Sequence, residues 1–191
     1  MIKAVLFDCF GVLTGDLWKQ FVDSQPEDVD THLLKELNRQ LDSGYIGREQ
    51  FLNEVHKEAG SYPQEVEKLL NNELSKNVLM LDIIRELKGR GYKIGLLSNI
   101  SSNWIRDSFL TINEQDLFDA MIMSFEVKVA KPSPEIYNIA CEKLACSPSE
   151  ILFIDDGEDN CRGANSIGMK TIHYIDFKSF KTELENVLNH G

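Results

Sequence analysis

Residues 151–156 read Ile-Leu-Phe-Ile-Asp-Asp, which is a run of four apolar residues followed by two adjacent acids, Asp155 and Asp156. A short, continuous apolar run predicts a buried strand of a parallel sheet. Two neighbouring carboxylates at the end of that strand repel each other unless a cation neutralises them. Ligands of open α/β sheets bind outside the carboxyl ends of the strands, so this stretch predicts a charged site at that edge.

Four other apolar runs alternate with helical patterns along the chain: Ala4–Phe7, 93–97, Ala120–Met123 and 171–175. Polar residues follow four of the five runs, namely Asp8, Ser98, Asp155 and Asp176. Alternating strands and helices are typical of βαβ units on a parallel sheet. The sequence therefore predicts an α/β fold with a Rossmann-like parallel sheet.

The alternation stops between residues 16 and 76, where the patterns are amphipathic and helical. Helices are predicted at Leu17–Asp23, 29–41, Arg48–Ala59 and 64–70, with glycine and proline between them. We expect an all-helical cap at 16–76, inserted into a core formed by 1–15 and 77–191, with a hinge at Thr14 and Gly15. An irregular first crossover is the alternative.

The composition excludes several classes of protein. The 191 residues carry a net charge of −11, so no basic surface is expected for nucleic acid or an anionic membrane. The apolar runs are shorter than the roughly 18 residues that a membrane span needs. The four cysteines form no CxxC pair, and the chain opens directly on a strand pattern, so we expect reduced thiols and a cytoplasmic protein.

Three further segments place polar groups beside the predicted sheet. Asp8 follows the first run, Ser98 and Asn99 follow the second, and Lys131 precedes a proline before a predicted helix at 135–144. Each has an ordinary structural explanation when taken alone. Aspartate opens turns, serine caps helices (here one predicted at 103–109), and an isolated lysine is usually solvated. Together they predict a polar site.

The charges of this predicted site do not balance. If Asp8 joins Asp155 and Asp156, three carboxylates converge, and Lys131 alone cannot neutralise them. A Mg²⁺ ion would do so, because hard cations prefer carboxylate and carbonyl oxygens.

These segments, in this order and spacing, resemble the haloacid dehalogenase-like hydrolase superfamily, and in particular its phosphatase-like members with a small helical cap. The resemblance implies a nucleophile at Asp8, a phosphate-binding hydroxyl at Ser98 beside Asn99, and a cationic substrate-binding group at Lys131. It implies Mg²⁺ ligands at Asp8, Asp156 and the carbonyl oxygen of Phe10, with Asp155 as the supporting neighbour and Asn160 orienting the acidic loop.

The implied reaction is hydrolysis of a small phosphorylated molecule through an aspartyl phosphate on Asp8, by a monomer or homodimer. A covalent intermediate splits the hydrolysis into two easier displacements. Mg²⁺ and Lys131 reduce the repulsion between an anionic nucleophile and an anionic substrate. Ser98 would donate a hydrogen bond to a phosphate oxygen.

Phe10 departs from the pattern of the family's phosphatases, which usually have an acid–base aspartate two residues after the nucleophile. A benzyl group transfers no proton, and loss of a general acid typically costs about 10²- to 10⁴-fold in rate. Three hypotheses follow. The first is a phosphatase that is slow or that acts on substrates with good leaving groups. The second is a 2-haloacid dehalogenase, since that branch of the family also has an aromatic residue at this position, and the third is a weakly catalytic or non-catalytic protein that binds Mg²⁺ and an anion. The two acids at 155 and 156 disfavour the dehalogenase, because they would repel a substrate carboxylate.

The neighbours of the predicted site have simpler expected roles. Gly11 provides backbone freedom for the turn after Asp8, and Cys9 points away into the core. Lys19 or Arg48 would reach the substrate from the cap. Aromatic residues expected at the pocket or in helix packing are Trp18, Phe21 and Trp104.

Overall fold

A computed structural model describes residues 1–71 and 75–190 of the chain. Within those residues, five parallel strands form one sheet: β1 (Ala4–Phe7), β2 (Lys93–Ser98), β3 (Ala120–Met123), β4 (Ile151–Asp155) and β5 (Lys170–His173). Their order in the sheet is β3-β2-β1-β4-β5, with β1 paired in parallel to both β2 and β4. The predicted α/β fold with a parallel sheet is confirmed.

The described helices are, in chain order, α1 (Leu17–Asp23), α2 (Thr31–Asp42), α3 (Arg48–Ala59), α4 (Pro63–Asn71), α5 (Val78–Gly89), α6 (Ile112–Gln115), α7 (Ser124–Val127), α8 (Pro134–Leu144), α9 (Glu158–Ser166) and α10 (Phe177–His190). In this described part of the chain, no helix has the length and apolar character that a membrane crossing demands.

Alternate strand residues pack into two apolar layers, one on each face of the sheet. Phe7 of β1 lies in the layer that also contains buried residues of α5 and α10. Leu6, the preceding residue, lies in the opposite layer with residues of α8 and α9. This period-two pattern within a fully buried strand is expected of a parallel sheet that is covered on both sides.

Helices α1 to α4 have an apolar cluster of their own. Leu34, Phe51 and Val55 are fully buried in it. The two segments that join these helices to the sheet run side by side: Thr14 forms an antiparallel bridge with Lys76, and its hydroxyl donates to the carbonyl of Ser75 at 2.9 Å. The division into a core and a cap, with a hinge at Thr14 and Gly15, stays a prediction.

Helix boundaries follow local capping. The helix predicted at 29–41 runs over Thr31–Asp42 because the side chain of Asp30 accepts the backbone N–H of Leu33. The helix predicted at 64–70 runs over Pro63–Asn71, and the helix predicted at 135–144 begins one residue earlier, at Pro134.

Two predicted elements are present with different bounds. The strand expected at 171–175 is β5, Lys170–His173, and Ile175 is exposed. Asp176 consequently does not end a strand; its Oδ1 accepts the backbone N–H groups of Lys178 and Ser179 at the start of α10. Residues 103–109 form only a π-helical turn, Ile105–Phe109.

Close packing of α9 against the loop before α8 depends on Gly163. A Cβ at this position would lie 2.5 Å from the Pro132 carbonyl oxygen and 3.0 Å from the ring of Tyr137. A side chain there must push α9 away from the loop.

We therefore expect Gly163→Ala to destabilise the protein by about 1–3 kcal/mol, although alanine is the better helix former. Gly89→Ala in α5 is the matched control, because a Cβ there meets nothing within 4 Å, and it should stabilise by up to about 1 kcal/mol. Urea unfolding midpoints measure both. A neutral or stabilising Gly163→Ala would contradict the packing described.

Candidate active site

The polar side chains converge at the carboxyl edge of the sheet around β1. The chain runs from β1 through β2 to β3 on one side of β1 and then crosses to β4 on the other side, and this reversal of strand order opens a crevice there. Asp8 lies at the end of β1, and Asp155 and Asp156 lie at the end of β4. One carboxylate oxygen from each of the three lies within 4.8 Å of the other two.

Asp8 is buried, and its two carboxylate oxygens have different surroundings. Oδ1 accepts the backbone N–H of Cys9 at 2.6 Å and pairs with the Lys131 ammonium at 2.7 Å. Within residues 1–71 and 75–190, no donor reaches Oδ2. One oxygen is therefore held in place, and the other is available for a ligand or a substrate.

Lys131 lies between two acids at the bottom of the site. Its Nζ is 2.7 Å from Asp8 Oδ1 and 2.6 Å from Asp155 Oδ2, and its side chain is 2% exposed. Burial by itself would lower the pKa of Lys131, but the two ion pairs hold that pKa above its usual value. Burial and the neighbouring Asp155 raise the pKa of Asp8, against the opposing effect of Lys131. A second ammonium, that of Lys19, pairs with Asp156, so two positive charges meet three acids and the cluster still lacks positive charge.

Both oxygens of Asp155 are occupied by the protein. Oδ2 binds Lys131, while Oδ1 accepts the backbone N–H of Gly157 at 2.7 Å and the side-chain amide of Asn160 at 2.9 Å. Asp155 is thus a fully hydrogen-bonded acid that fixes its neighbours. Asn160 holds the acidic loop from the first turn of α9.

Asp156 faces the cavity above this buried layer. Its Oδ2 is 2.5 Å from the Lys19 ammonium of α1, an ion pair between the helical segment and the sheet. A Cβ on Gly11 would lie 2.4 Å from the carboxyl carbon of Asp156, and Gly11 has φ +80°. The expected need for glycine in this turn is confirmed, and the close approach of Asp156 adds a second reason for it.

Ser98 and Asn99 occupy different places. Ser98 is fully buried at the end of β2, with its hydroxyl 3.5 Å from the Asn99 carbonyl, and the described cavity wall includes Asn99 but not Ser98. The Asn99 side chain accepts the backbone N–H of Lys131 at 2.9 Å and donates to its carbonyl at 3.0 Å. Asn99 thereby fixes the backbone that carries Lys131.

Phe10 forms part of an aromatic wall of the cavity. Its ring stacks on Trp104 with 5.9 Å between centroids, and Trp104 stacks on Phe109 at 4.9 Å. Cys9, beside it in sequence, is fully buried as expected, and burial raises the pKa of its thiol. All four cysteines are free and buried.

The cavity has a volume of about 660 Å³ and lies between the sheet edge and helices α1 and α2. It reaches from Asp8 and Lys131 to Trp18 and Leu41. Arg48 also lines it, so both cap cations expected near a substrate, Lys19 and Arg48, border the cavity.

Two of the cavity residues that sequence reasoning missed are His173 and Asp42. His173 ends β5 with its Nε2 3.0 Å from the Asp156 carbonyl oxygen, and correct placement of that strand would have found it. Asp42, the last residue of α2, is buried beside the cavity. The sequence signal for Asp42 was its position in α2, four residues after Asn38 and next to the apolar stripe of that helix.

Residues 2–168 match the model of the haloacid dehalogenase-like hydrolases, and the chain belongs to that family. It is 27% identical to a sesquiterpene phosphatase of Aspergillus oryzae over 97% of this chain and 96% of that protein. It is 25% identical to a D-ribitol-5-phosphate phosphatase of Bacteroides thetaiotaomicron, over 99% of this chain and all of the relative.

The fold is also similar to that of a solved enzyme of the same family from Bacteroides thetaiotaomicron, in complex with magnesium and inorganic phosphate. The TM-score is 0.67 at 25% identity, over 94% of this chain and 99% of the other. An (S)-2-haloacid dehalogenase of Pseudomonas is 30% identical over 53% of this chain, which spans 44% of that relative.

Removal of the buried ammonium tests the charge arrangement. We expect Lys131→Met to destabilise the metal-free protein by about 3–5 kcal/mol near neutral pH, because it leaves buried carboxylates without a counter-charge. Loss of the ammonium raises the pKa of Asp8 further in the folded state. The folded variant then binds more protons than the unfolded chain, so the penalty should grow as the pH rises from about 5 to about 8.

Urea unfolding across that pH range measures the effect. Lys143→Met, on the exposed face of α8, is the control and should change stability by less than about 0.5 kcal/mol. A penalty for Lys131→Met that is small, or that does not change with pH, would contradict the arrangement.

Proposed function

We propose that the protein is a Mg²⁺-dependent phosphohydrolase in which Asp8 is the nucleophile and residues 16–76 form a cap over the site. The observation that carries this proposal is the cluster of Asp8, Asp155 and Asp156, in which Asp8 and Asp155 share the buried ammonium of Lys131. Such a cluster suits a divalent cation together with a phosphate.

The donor set fits Mg²⁺. Carboxylate and carbonyl oxygens are its preferred ligands, and three carboxylates approach one another here. Both oxygens of Asp155 are occupied by protein donors, so Asp8, Asp156 and the Phe10 carbonyl are the groups that would hold the ion. When bound, the ion supplies positive charge that lets a phosphate approach two acids.

The chain's own residues account for the covalent chemistry. Asp8 Oδ2, which meets no donor within the described residues, attacks phosphorus and forms an aspartyl phosphate while the bond to the leaving oxygen breaks. Lys131 holds Asp8 in position and offsets charge on the transferring group. Water then attacks the aspartyl phosphate, which releases phosphate and regenerates the carboxylate.

The substrate that suits this cavity is a small phosphorylated molecule with an apolar or aromatic body. The phosphate end would lie at Asp8, and the stacked rings of Phe10 and Trp104 offer an apolar wall beside it. The volume of about 660 Å³ is within the usual range for small-molecule sites. The similarity to a sesquiterpene phosphatase supports an apolar body, and the similarity to a sugar-alcohol phosphate phosphatase supports the phosphate group.

A 2-haloacid dehalogenase is the second candidate, favoured by the aromatic residue at position 10 and by the partial similarity to such an enzyme. Asp156 opposes it, since a half-buried acid that faces the cavity beside Asp8 repels a substrate carboxylate. A protein that binds Mg²⁺ and an anion with little catalysis is the third.

The nucleophile is tested by Asp8→Asn. We expect Mg²⁺-dependent hydrolysis of 4-nitrophenyl phosphate by the parent and a loss on the order of 10³-fold or more in the variant, because an amide does not form the covalent intermediate. Asp23→Asn, an exposed acid at the cavity rim, is the matched control and should keep parent activity. Activity of Asp8→Asn equal to the parent, or halide release from 2-haloacids in its place, would reject the proposal.

Metal binding is tested apart from turnover by calorimetry on metal-free protein. We expect binding of Mg²⁺ at millimolar or tighter affinity that disappears in Asp156→Asn, because the variant removes a charged ligand. Asp159→Asn, on an exposed acid three residues later, should bind like the parent. Binding that is absent from the parent, or unchanged in Asp156→Asn, would show that these residues do not hold the ion.

A further inference from the structure

Expulsion of an alcohol from a phosphate ester requires a proton when the leaving oxygen is strongly basic. The residue closest in sequence to Asp8 on the cavity wall is Phe10, and its ring stacks on Trp104 and carries no proton to give. The proton must therefore come from another group that lines the cavity.

Within the described residues, six carboxyl groups besides Asp8 line the cavity: Asp16, Asp23, Asp42, Asp156, Glu158 and Asp159. Three of them, Asp23, Glu158 and Asp159, are exposed and so are ordinary solvated acids. Asp156 is paired with Lys19, and Asp16 accepts the backbone N–H of Lys19 as the cap of α1. Asp42 is buried and takes part in none of these contacts.

The tertiary structure holds Asp42 over the sheet edge. Its carbonyl oxygen accepts the Ser124 hydroxyl of the core at 2.7 Å. The same Ser124 Oγ accepts the backbone N–H of Ile100 at 2.9 Å, and Ile100 lines the cavity next to Asn99. The end of α2 is thus attached to the segment that borders the proposed phosphate site.

The carboxyl of Asp42 receives one side-chain hydrogen bond among the described residues, from the Asn38 amide to Oδ2 at 2.9 Å. Asp42 is 6% exposed and lies on the cavity wall, and its Oδ1 accepts no hydrogen bond from the described residues. This arrangement differs from that of a structural buried acid, whose oxygens are both occupied, as in Asp155.

The surroundings favour the protonated form. Burial and the charge of Asp16 raise the pKa of Asp42 to about 8, and Asn38 and Lys131 oppose that shift only in part. About nine-tenths of such carboxyls carry a proton at pH 7. Other charged groups near this end of α2 are Lys128, close to Gly44, and the cavity-lining side chains Lys19, Asp23, Lys35, Arg39 and Arg48.

We propose that Asp42, supplied by the helical segment, is the general acid and base of the reaction. The inference rests on the proposed phosphohydrolase function. As Asp8 forms its bond to phosphorus, the bond from phosphorus to the leaving oxygen breaks, and the proton of Asp42 passes to that oxygen to give the free alcohol. The Asp42 carboxylate then takes a proton from the water that attacks the aspartyl phosphate, and the starting state is restored.

The test compares two substrates that differ in their need for a proton: 4-nitrophenyl phosphate, a good leaving group, and 2-phenylethyl phosphate, a poor one. In Asp42→Asn we expect kcat for the alkyl ester to fall by about 10²- to 10⁴-fold and kcat for the aryl ester to fall by less than about tenfold. The parent's alkyl activity should decline as the pH rises through about 8, when the acid loses its proton, and this decline should vanish in the variant. Asp28→Asn, at an exposed acid that does not line the cavity, should retain both activities and the pH dependence.

Rescue provides a readout that a structural role would not give. In Phe10→Asp/Asp42→Asn, a carboxylate replaces the ring beside the nucleophile, and we expect at least tenfold recovery of alkyl turnover over Asp42→Asn. Circular dichroism and Mg²⁺ calorimetry establish that each variant is folded.

Three results would overturn the role of Asp42. The first is an unchanged ratio of alkyl to aryl turnover in folded Asp42→Asn. The second is a decline of alkyl activity with rising pH that persists in that variant. The third is that Asp16→Asn, and not Asp42→Asn, loses alkyl turnover and the pH dependence. If the parent hydrolyses 4-nitrophenyl phosphate and Asp8→Asn does not, these results reject the acid alone. If the parent hydrolyses neither ester, the proposed function and this inference are both rejected.

Discussion

A buried lysine between two carboxylates is the constraint on which the site depends. Lys131 contacts Asp8 and Asp155, which end two neighbouring parallel strands, and so it ties β1 to β4 at the point where the strand order reverses. Buried charges of one sign are costly unless they are paired. The pairing with Lys131 offsets part of this cost, and the excess of negative charge that remains suits a hard cation.

Several unrelated parts of the chain serve to hold that lysine. The Asn99 side chain, at the end of β2, forms hydrogen bonds with the backbone of Lys131. Gly163 lets α9 pack directly against Pro132, the residue after Lys131. Asn160, on the same helix, occupies an oxygen of Asp155. The buried layer of the site is therefore rigid, whereas Asp156 and the face of Asp8 toward the cavity are the parts left for a ligand.

The helical segment formed by α1 to α4 also contributes side chains to the site. Lys19 of α1 reaches Asp156, and α2 is attached to the core through the Ser124 hydroxyl, which places Asp42 on the cavity wall. Phe10 and Asp42 are complementary in this account. An aromatic ring lies two residues after Asp8, and a buried acid comes from the last residue of α2. Under the proposed function, apolar substrate binding and proton transfer fall on different elements.

The sequence by itself determined the parallel sheet, the family, and the acids at the strand ends, because apolar runs and polar strand ends are local patterns set by burial. It misplaced β5 and missed His173, since the pattern does not show that Ile175 is exposed. Only the tertiary structure decided which oxygens of Asp155 are occupied and that Asp42 meets the cavity. These depend on contacts between residues far apart in the chain, and a side chain's charge state follows from the burial that such contacts create.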